Sequence, residues 1–202
     1  MTAADATPDA PPPPAPGAPG AVLLFPGAGG NRNNKTLVAL DKGLDLPVVR
    51  ADFPYRREGR KAPDRAPKAI ACVREEAGLL ADAAGVAPEQ VVLGGRSFGG
   101  RMCSMAVAEG LPAAGLVLVS YPLHPPGRPE KLRVEHLPAL AVPCLFVSGD
   151  RDPFGTPAEL AEHSAAIPGP VTHVTIPGGR HELGGVDPQI VEAVRTWLAG
   201  LP

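Results

Sequence analysis

The chain has 202 residues, of which 44% are hydrophobic and 20% are charged, and its formal net charge is −2. This length fits one domain with a sizeable core, and the balanced charge without a basic cluster argues against a nucleic-acid-binding protein. No apolar stretch reaches about 18 residues, so we expect no transmembrane helix and no membrane partner.

The first residues lack the positively charged and then apolar pattern of a secretory signal. Cys72, Cys103 and Cys144 lie in apolar segments, and their spacing is not that of a metal site. Buried free thiols in a reducing compartment fit this pattern best, so we expect a cytoplasmic protein.

Proline dominates residues 8–19, so we predict a disordered or polyproline II tail over residues 1–19 and a single domain over residues 20–202. Short apolar segments then predict six strands, over residues 21–25, 47–51, 90–94, 115–120, 144–148 and 171–176. Helical spacing between them predicts five helices, over residues 33–43, 67–84, 98–109, 156–166 and 188–199. Strands that alternate with helices predict an α/β fold, an open sheet of mostly parallel strands with helices on both faces.

A Gly-x-Ser-x-Gly turn connects the third predicted strand to the helix that follows it. Gly95 and Gly99 suit a sharp turn in which neighbouring backbone leaves no room for a Cβ atom. This is the pattern of a nucleophile elbow, so we predict that Ser97 attacks the substrate. The backbone N–H of Phe98, and that of Ala28 in the turn after the first strand, would then stabilise the oxyanion.

A base and an orienting acid should also follow strand ends, because ligands bind beyond the carboxyl ends of a parallel sheet. His181 follows the last predicted strand, and we expect it to accept the Ser97 proton. The fifth strand leads into Asp150 and Asp152, and either carboxylate could hold the imidazole. The remaining interpretation of Asp150 is a local turn acceptor.

Other polar residues near predicted strand ends are candidates for the pocket rather than for the chemistry. Gly27, Arg96, Tyr121 and His124 are the candidates for its wall. Arg96 could neutralise an anionic group of the substrate, as could Arg56, Arg57 and Arg101, although a surface role suits each of these arginines better. We expect His136 and His163 to be solvated, and His173 to be a packed or edge residue of a strand.

Four segments occur in an order that indicates a family. They are Pro26–Gly30, Gly95–Arg101, Ser120–Gly127 and Gly149–Gly155. Together they resemble the α/β-hydrolase superfamily, and within it the small hydrolases grouped with NSL complex subunit 3 and with dienelactone-hydrolase-like proteins. The resemblance implies a hydrolase core without a lid domain and a Ser…Asp…His order of the triad. Because the family acid commonly lies in a Gly-x-x-Asp turn, it also favours Asp152 over Asp150.

These features predict a serine hydrolase that cleaves a small carboxylic ester or thioester through an acyl-enzyme at Ser97. The chemistry requires no metal or cofactor, and the expected partner is the small-molecule ester itself. The alternative is a binding or scaffold protein that keeps the fold with little or no turnover. The sequence leaves the oligomeric state and the acyl group open.

Overall fold

The computed structural model describes residues 17–202 of the chain. Most of the predicted tail, residues 1–16, therefore lies outside the described residues. Its last three residues lie against the domain, where the Ala18 carbonyl accepts a hydrogen bond from the side chain of Gln90 at 3.2 Å.

All six predicted strands and all five predicted helices are present, with ends that shift by at most two residues. The strands are β1 (Ala21–Phe25), β2 (Val48–Arg50), β3 (Val91–Arg96), β4 (Gly115–Val119), β5 (Cys144–Gly149) and β6 (Val171–Ile176). The helices are α1 (Lys35–Gly43), α2 (Pro54–Arg57), α3 (Ala66–Ala84), α4 (Phe98–Ala108), α5 (Pro157–Ser164) and α6 (Asp187–Ala199). Two 3₁₀ turns lie at Pro88–Gln90 and Leu137–Ala139. Helix α2 was not predicted, because four residues are too few to show a helical period.

The strands form one sheet in the order β2-β1-β3-β4-β5-β6, and every neighbouring pair is parallel. The predicted α/β fold is confirmed, and no separate lid domain occurs within residues 17–202. The chain order reverses between β1 and β3, which are hydrogen-bonded with Phe25 opposite Gly95. Ligands bind at such a reversal in open α/β sheets, because the loops that leave the two strands diverge there and open a crevice.

Each face of the sheet has its own hydrophobic core. On β1, Ala21, Leu23 and Phe25 pack toward α3 and α4, whereas Val22 and Leu24 pack toward α1 and α6. Because successive side chains of a strand point to opposite faces, a strand covered on both sides is apolar at every position. Burial of a side chain such as Leu23 contributes about 1.5–3 kcal/mol, so the two cores hold the strand ends in fixed positions.

None of the helices in this part of the chain combines the length and the apolar character that a membrane crossing requires.

Candidate active site

Ser97 lies in the sharp turn between β3 and α4, with φ 49° and ψ −112°. Such a conformation costs a residue with a Cβ atom about 1–3 kcal/mol and persists only where the surroundings enforce it. The Ser97 backbone N–H donates to the Val119 carbonyl at 2.8 Å, and α4 begins at the next residue. The backbone is therefore held so that the side chain projects beyond the end of the sheet.

The two glycines of the turn are required by the close approach of β1. A Cβ atom on either Gly95 or Gly99 would collide with the carbonyl group of Phe25. Gly95 also has a φ of 153°, which side chains rarely allow. The steric role predicted for these glycines is thus present in the structure.

Ser97, His181 and Asp152 form one chain of hydrogen bonds. The Ser97 Oγ lies 2.9 Å from His181 Nε2, and His181 Nδ1 lies 2.8 Å and 3.0 Å from the two carboxylate oxygens of Asp152. Asp152 and His181 are buried, with 4% and 8% of their surface exposed. With the Nδ1 proton donated to Asp152, His181 Nε2 has a free lone pair that can accept the Ser97 proton.

The loops after β5 and β6 hold the acid and the histidine together. Gly149 and Ile176 are paired at the ends of these strands, and the Arg151 N–H donates to the Gly179 carbonyl at 2.9 Å. Asp152 Oδ1 also accepts a hydrogen bond from the Phe154 N–H at 2.8 Å. The loop of Asp152 therefore holds this carboxylate in place independently of its contact with His181.

Two further side chains position the imidazole of His181. The Phe154 ring stacks on it, with centroids 4.0 Å apart and an interplanar angle of 26°. The Arg96 guanidinium donates to the carbonyl of His181 itself. Burial lowers the pKa of Arg96 from its ordinary value, but the group stays charged at neutral pH. Arg96, the residue before Ser97, therefore links the nucleophile turn to the loop that carries His181.

Asp152, and not Asp150, contacts the histidine. Asp150 is exposed, and its side chain makes no hydrogen bond or ion pair with any residue in the described range 17–202. The interpretation of Asp150 as a local turn acceptor is therefore wrong, because its side chain accepts no hydrogen bond from residues 17–202.

A cavity of about 500 Å³ opens above Ser97, and its wall includes Gly27, Ala28, Phe98 and Pro122. Phe98 is the first residue of α4, so its N–H has no partner within the helix. The Ala28 N–H donates none of the hydrogen bonds formed among the described residues. Both amides are therefore available to a group bound in the cavity.

Of the four residues predicted to line the pocket, Gly27 and Arg96 do so, whereas Tyr121 and His124 lie behind its wall. Tyr121 is 1% exposed, and its hydroxyl donates to the Arg133 carbonyl at 2.8 Å. His124 is buried, with Nδ1 2.9 Å from the Pro125 carbonyl and Nε2 3.5 Å from the Glu159 carboxylate. Both side chains support the loop after β4 instead of facing the cavity.

The expectation for His136 is wrong, because this residue is partly buried under the loop. Its Nε2 lies 2.8 Å from the Ser104 hydroxyl, and burial together with the charge of Arg101 lowers the pKa of His136 to about 4. His173 is exposed on the edge strand β6, as the edge interpretation predicts, and its ring stacks on Phe146 with centroids 5.2 Å apart. His163 lies on α5 at intermediate exposure.

Sequence reasoning missed Arg133 and Glu182 in the cavity wall. It offered Phe154 as a possible apolar wall residue, but it did not find that this ring stacks on His181. Arg133 lies in a loop with no periodic pattern, well after the end of β4. The proline-dense composition of residues 122–143, placed between two buried strands, was the available signal that this loop is ordered near the site.

Comparisons with known proteins concern the family and the fold of the chain. A family model described as an alpha/beta hydrolase domain matches residues 18–189. Est1E from Butyrivibrio proteoclasticus is 18% identical and superposes with a TM-score of 0.72, over 91% of this chain and 88% of that one. An alpha-beta serine hydrolase homologue from Coxiella burnetii is 22% identical, with a TM-score of 0.73 over 89% and 85%. Dienelactone hydrolase from Anabaena variabilis is 19% identical, with a TM-score of 0.73 over 92% and 88%.

At these identities the solved structures establish the fold, and the family model covers most of the chain. The six-stranded parallel sheet is consistent with both comparisons. The chain belongs to the alpha/beta hydrolase family.

Proposed function

We propose that this protein is a serine hydrolase that cleaves a small carboxylic ester or thioester through an acyl-enzyme at Ser97. The observation that carries the proposal is the continuous hydrogen-bonded chain from Ser97 Oγ through His181 to the buried carboxylate of Asp152. A hydroxyl is a weak nucleophile, and a histidine base held in the correct tautomer by an acid is the usual means of activating it.

In the first step, the Ser97 oxygen attacks the ester carbonyl while its proton passes to His181 Nε2. A bond forms between Oγ and the carbonyl carbon, and the carbonyl oxygen becomes an oxyanion. The N–H groups of Phe98 and Ala28 stabilise that charge, and the N-terminus of α4 adds a favourable dipole. Asp152 stabilises the imidazolium that His181 has become.

In the second step, the imidazolium gives its proton to the departing alcohol or thiol, and the acyl group stays on Ser97. Water then enters, His181 takes its proton, and hydrolysis releases the carboxylic acid and restores the serine. The cavity of about 500 Å³ is at the lower end of the range for small-molecule pockets, which supports a small acyl group. A lactone is a cyclic ester, so the similarity to a dienelactone hydrolase also supports this substrate class.

The proposal includes a cytoplasmic location. The thiols of Cys72, Cys103 and Cys144 are unpaired and buried, which suits a reducing compartment.

Labelling by a fluorophosphonate probe tests the proposal, because such probes phosphonylate an activated serine. We expect the intact protein to be labelled and the Ser97→Ala variant to remain unlabelled. Ser104→Ala and Ser164→Ala are matched controls, since both hydroxyls also lie within hydrogen-bonding distance of a histidine, at 2.8 Å and 2.9 Å. Both should be labelled like the wild type. Labelling of Ser97→Ala at the wild-type level, or no labelling of a folded wild type, would favour the scaffold alternative.

A further inference from the structure

Three arginines line the cavity above Ser97, and they differ in their partners. Arg96 donates to the His181 carbonyl, and the charges of Glu182 and Asp152 lie close to it. The side chain of Arg101 forms no hydrogen bond or ion pair with any described residue, and its Nε is buried without an acceptor. Arg133 donates a single long hydrogen bond, at 3.3 Å, to the Pro122 carbonyl. Arg101 and Arg133 thus bring two positive charges to the cavity without a carboxylate partner in residues 17–202.

Both arginines are held in place by ordered backbone. Arg101 is in the first turn of α4, and its N–H donates to the Ser97 carbonyl at 3.0 Å. Residues at this separation lie on one side of a helix with Cβ atoms about 5–6 Å apart, so Arg101 lies on the side of Ser97. The Arg133 N–H donates to the Leu123 carbonyl at 2.9 Å, and its own carbonyl accepts from Tyr121. The loop after β4 therefore presents Arg133 to the same cavity.

The electrostatics of this arrangement are unfavourable without an anion. Burial, and then the charge of Arg101, lower the pKa of Arg133 from its ordinary value. The first turn of α4 contains no acidic residue, and its N-terminal dipole adds positive potential where Arg101 lies. The acids that face this region are Glu182 in the cavity wall and Glu135 near Tyr121, and neither forms an ion pair with Arg101 or Arg133. A bound anion would relieve the repulsion and provide acceptors for the orphaned donors.

We propose that Arg101 and Arg133 bind a carboxylate of the substrate, a few bonds from the ester carbonyl that Ser97 attacks. The substrate class would thus be half-esters or half-thioesters of dicarboxylic acids, with the free carboxylate in the acyl part; this inference rests on the proposed function. The planar guanidinium fork matches a carboxylate, and two such groups can share its oxygens. Glu182 adds a negative charge to the same cavity, which favours a monoanionic carboxylate over a phosphate dianion.

Turnover of two esters of equal acyl length tests the proposal, with mono-4-nitrophenyl adipate as the anionic substrate and 4-nitrophenyl hexanoate as the neutral one. The kcat/KM value for the anionic ester, divided by that for the neutral ester, should fall about 10- to 100-fold in Arg101→Gln and in Arg133→Gln. Each substitution removes a charged hydrogen bond to the anionic ester only. Arg101→Lys should restore part of the ratio. Arg128→Gln is the matched control, since Arg128 is an exposed arginine of the same loop, and it should keep the wild-type ratio.

The outcomes separate this inference from the proposed function. Hydrolysis that depends on Ser97, with an unchanged ratio in both arginine variants, overturns the carboxylate site and leaves the hydrolase intact. If neither ester is hydrolysed, the proposed function fails, and binding still decides the inference. Calorimetry on Ser97→Ala at fixed ionic strength should then show hexanoate, which has a carboxylate, binding about 10-fold or more tightly than the uncharged hexanamide, and losing that advantage in Arg101→Gln and Arg133→Gln. Equal binding of the acid and the amide, or tighter binding of inorganic phosphate than of hexanoate, contradicts the proposal.

Discussion

Two serine–histidine pairs lie near helix α4 and differ in their surroundings. Ser97 precedes α4 and is 2.9 Å from His181 Nε2, whereas Ser104 lies within α4 and is 2.8 Å from His136 Nε2. The Ser104 hydroxyl also donates to the Arg101 carbonyl at 2.8 Å, so His136 must donate to it. Ser97 has no such second acceptor among the described residues, and its proton is available to His181.

The histidines differ as much as the serines do. His181 has the carboxylate of Asp152 on its far nitrogen, and His136 has no carboxylate within hydrogen-bonding distance in residues 17–202. Burial and the positive charge of Arg101 hold His136 neutral by lowering its pKa to about 4. We infer from this comparison that a serine–histidine hydrogen bond alone does not activate the serine. Under the proposed function, the acid on the histidine and the free hydroxyl proton make the difference.

The largest expected effect separates the two serines. Ser97→Ala should lower kcat/KM for a 4-nitrophenyl ester by about 10⁴- to 10⁶-fold, because it removes the nucleophile. Ser104→Ala should change it less than about threefold, since that hydroxyl only supports the loop after β4. Steady-state rates on purified proteins measure both. Similar losses of kcat/KM in Ser97→Ala and Ser104→Ala would contradict the claim that only the first pair contains the nucleophile.

The next largest effect concerns the acid, and the chain offers a control two residues away. Asp152→Asn should lower kcat by about 10³- to 10⁴-fold, because the amide favours the wrong tautomer of His181. Asp150→Asn should leave kcat within a factor of two, since Asp150 is exposed and contacts no functional group. Steady-state kinetics on the two folded variants compare them directly. A larger loss in Asp150→Asn would contradict the assignment.

The close packing around the Ser97 turn predicts that alanine substitutions at two glycines change the stability of the protein in opposite directions. Gly99→Ala should destabilise the protein by about 2–3 kcal/mol or prevent folding, because the new Cβ collides with the Phe25 carbonyl. Gly78 lies in α3 with open space around it, so Gly78→Ala should stabilise the protein by about 0.5–1 kcal/mol through helix propensity. Urea denaturation midpoints measure both changes. Full stability of Gly99→Ala would contradict the close contact between position 99 and the Phe25 carbonyl.

The smallest effect concerns the pH dependence of stability at His136. An unfolded histidine titrates near 6.5, whereas folded His136 titrates near 4, so the unfolded chain binds more protons between these values. Stability therefore falls as the pH drops from 6.5 toward 4. Because His136 is only partly buried, we expect His136→Asn to reduce the fall in unfolding free energy between pH 6.5 and pH 4 by about 1–2 kcal/mol. His163→Asn is the control, and urea denaturation at several pH values measures both variants. An equal dependence of the unfolding free energy on pH in the two variants would contradict the buried state of His136.

The sequence predicted the parts of the site that follow from local rules. Continuous apolar runs mark strands that are covered on both faces, and polar residues at their ends converge because the strands are parallel. This reasoning identified Ser97 and His181 and left Asp150 and Asp152 as alternatives for the acid. The family resemblance favoured Asp152, and the structure brings Asp152 together with Ser97 and His181. The Gly-x-Ser-x-Gly pattern also predicted the steric role of Gly95 and Gly99.

Residues whose position depends on irregular backbone were not predictable in this way. His136 was expected in solvent, yet the loop after β4 folds it against Ser104. Arg133 reaches the cavity through hydrogen bonds with Leu123 and Tyr121 that no periodicity encodes. Tyr121 and His124 follow a strand end like the residues of the triad, but this loop turns their side chains away from the cavity.

The most direct test of the central claim is to identify the residue that carries the acyl group during turnover. Wild-type protein is mixed with excess 4-nitrophenyl acetate, quenched with acid during the initial burst, digested and analysed by peptide mass spectrometry. We predict a burst of about one nitrophenol per chain and an acetyl group on the peptide that contains Ser97. Release of nitrophenol without an acylated Ser97, or with the acetyl group on Ser104, would contradict the account.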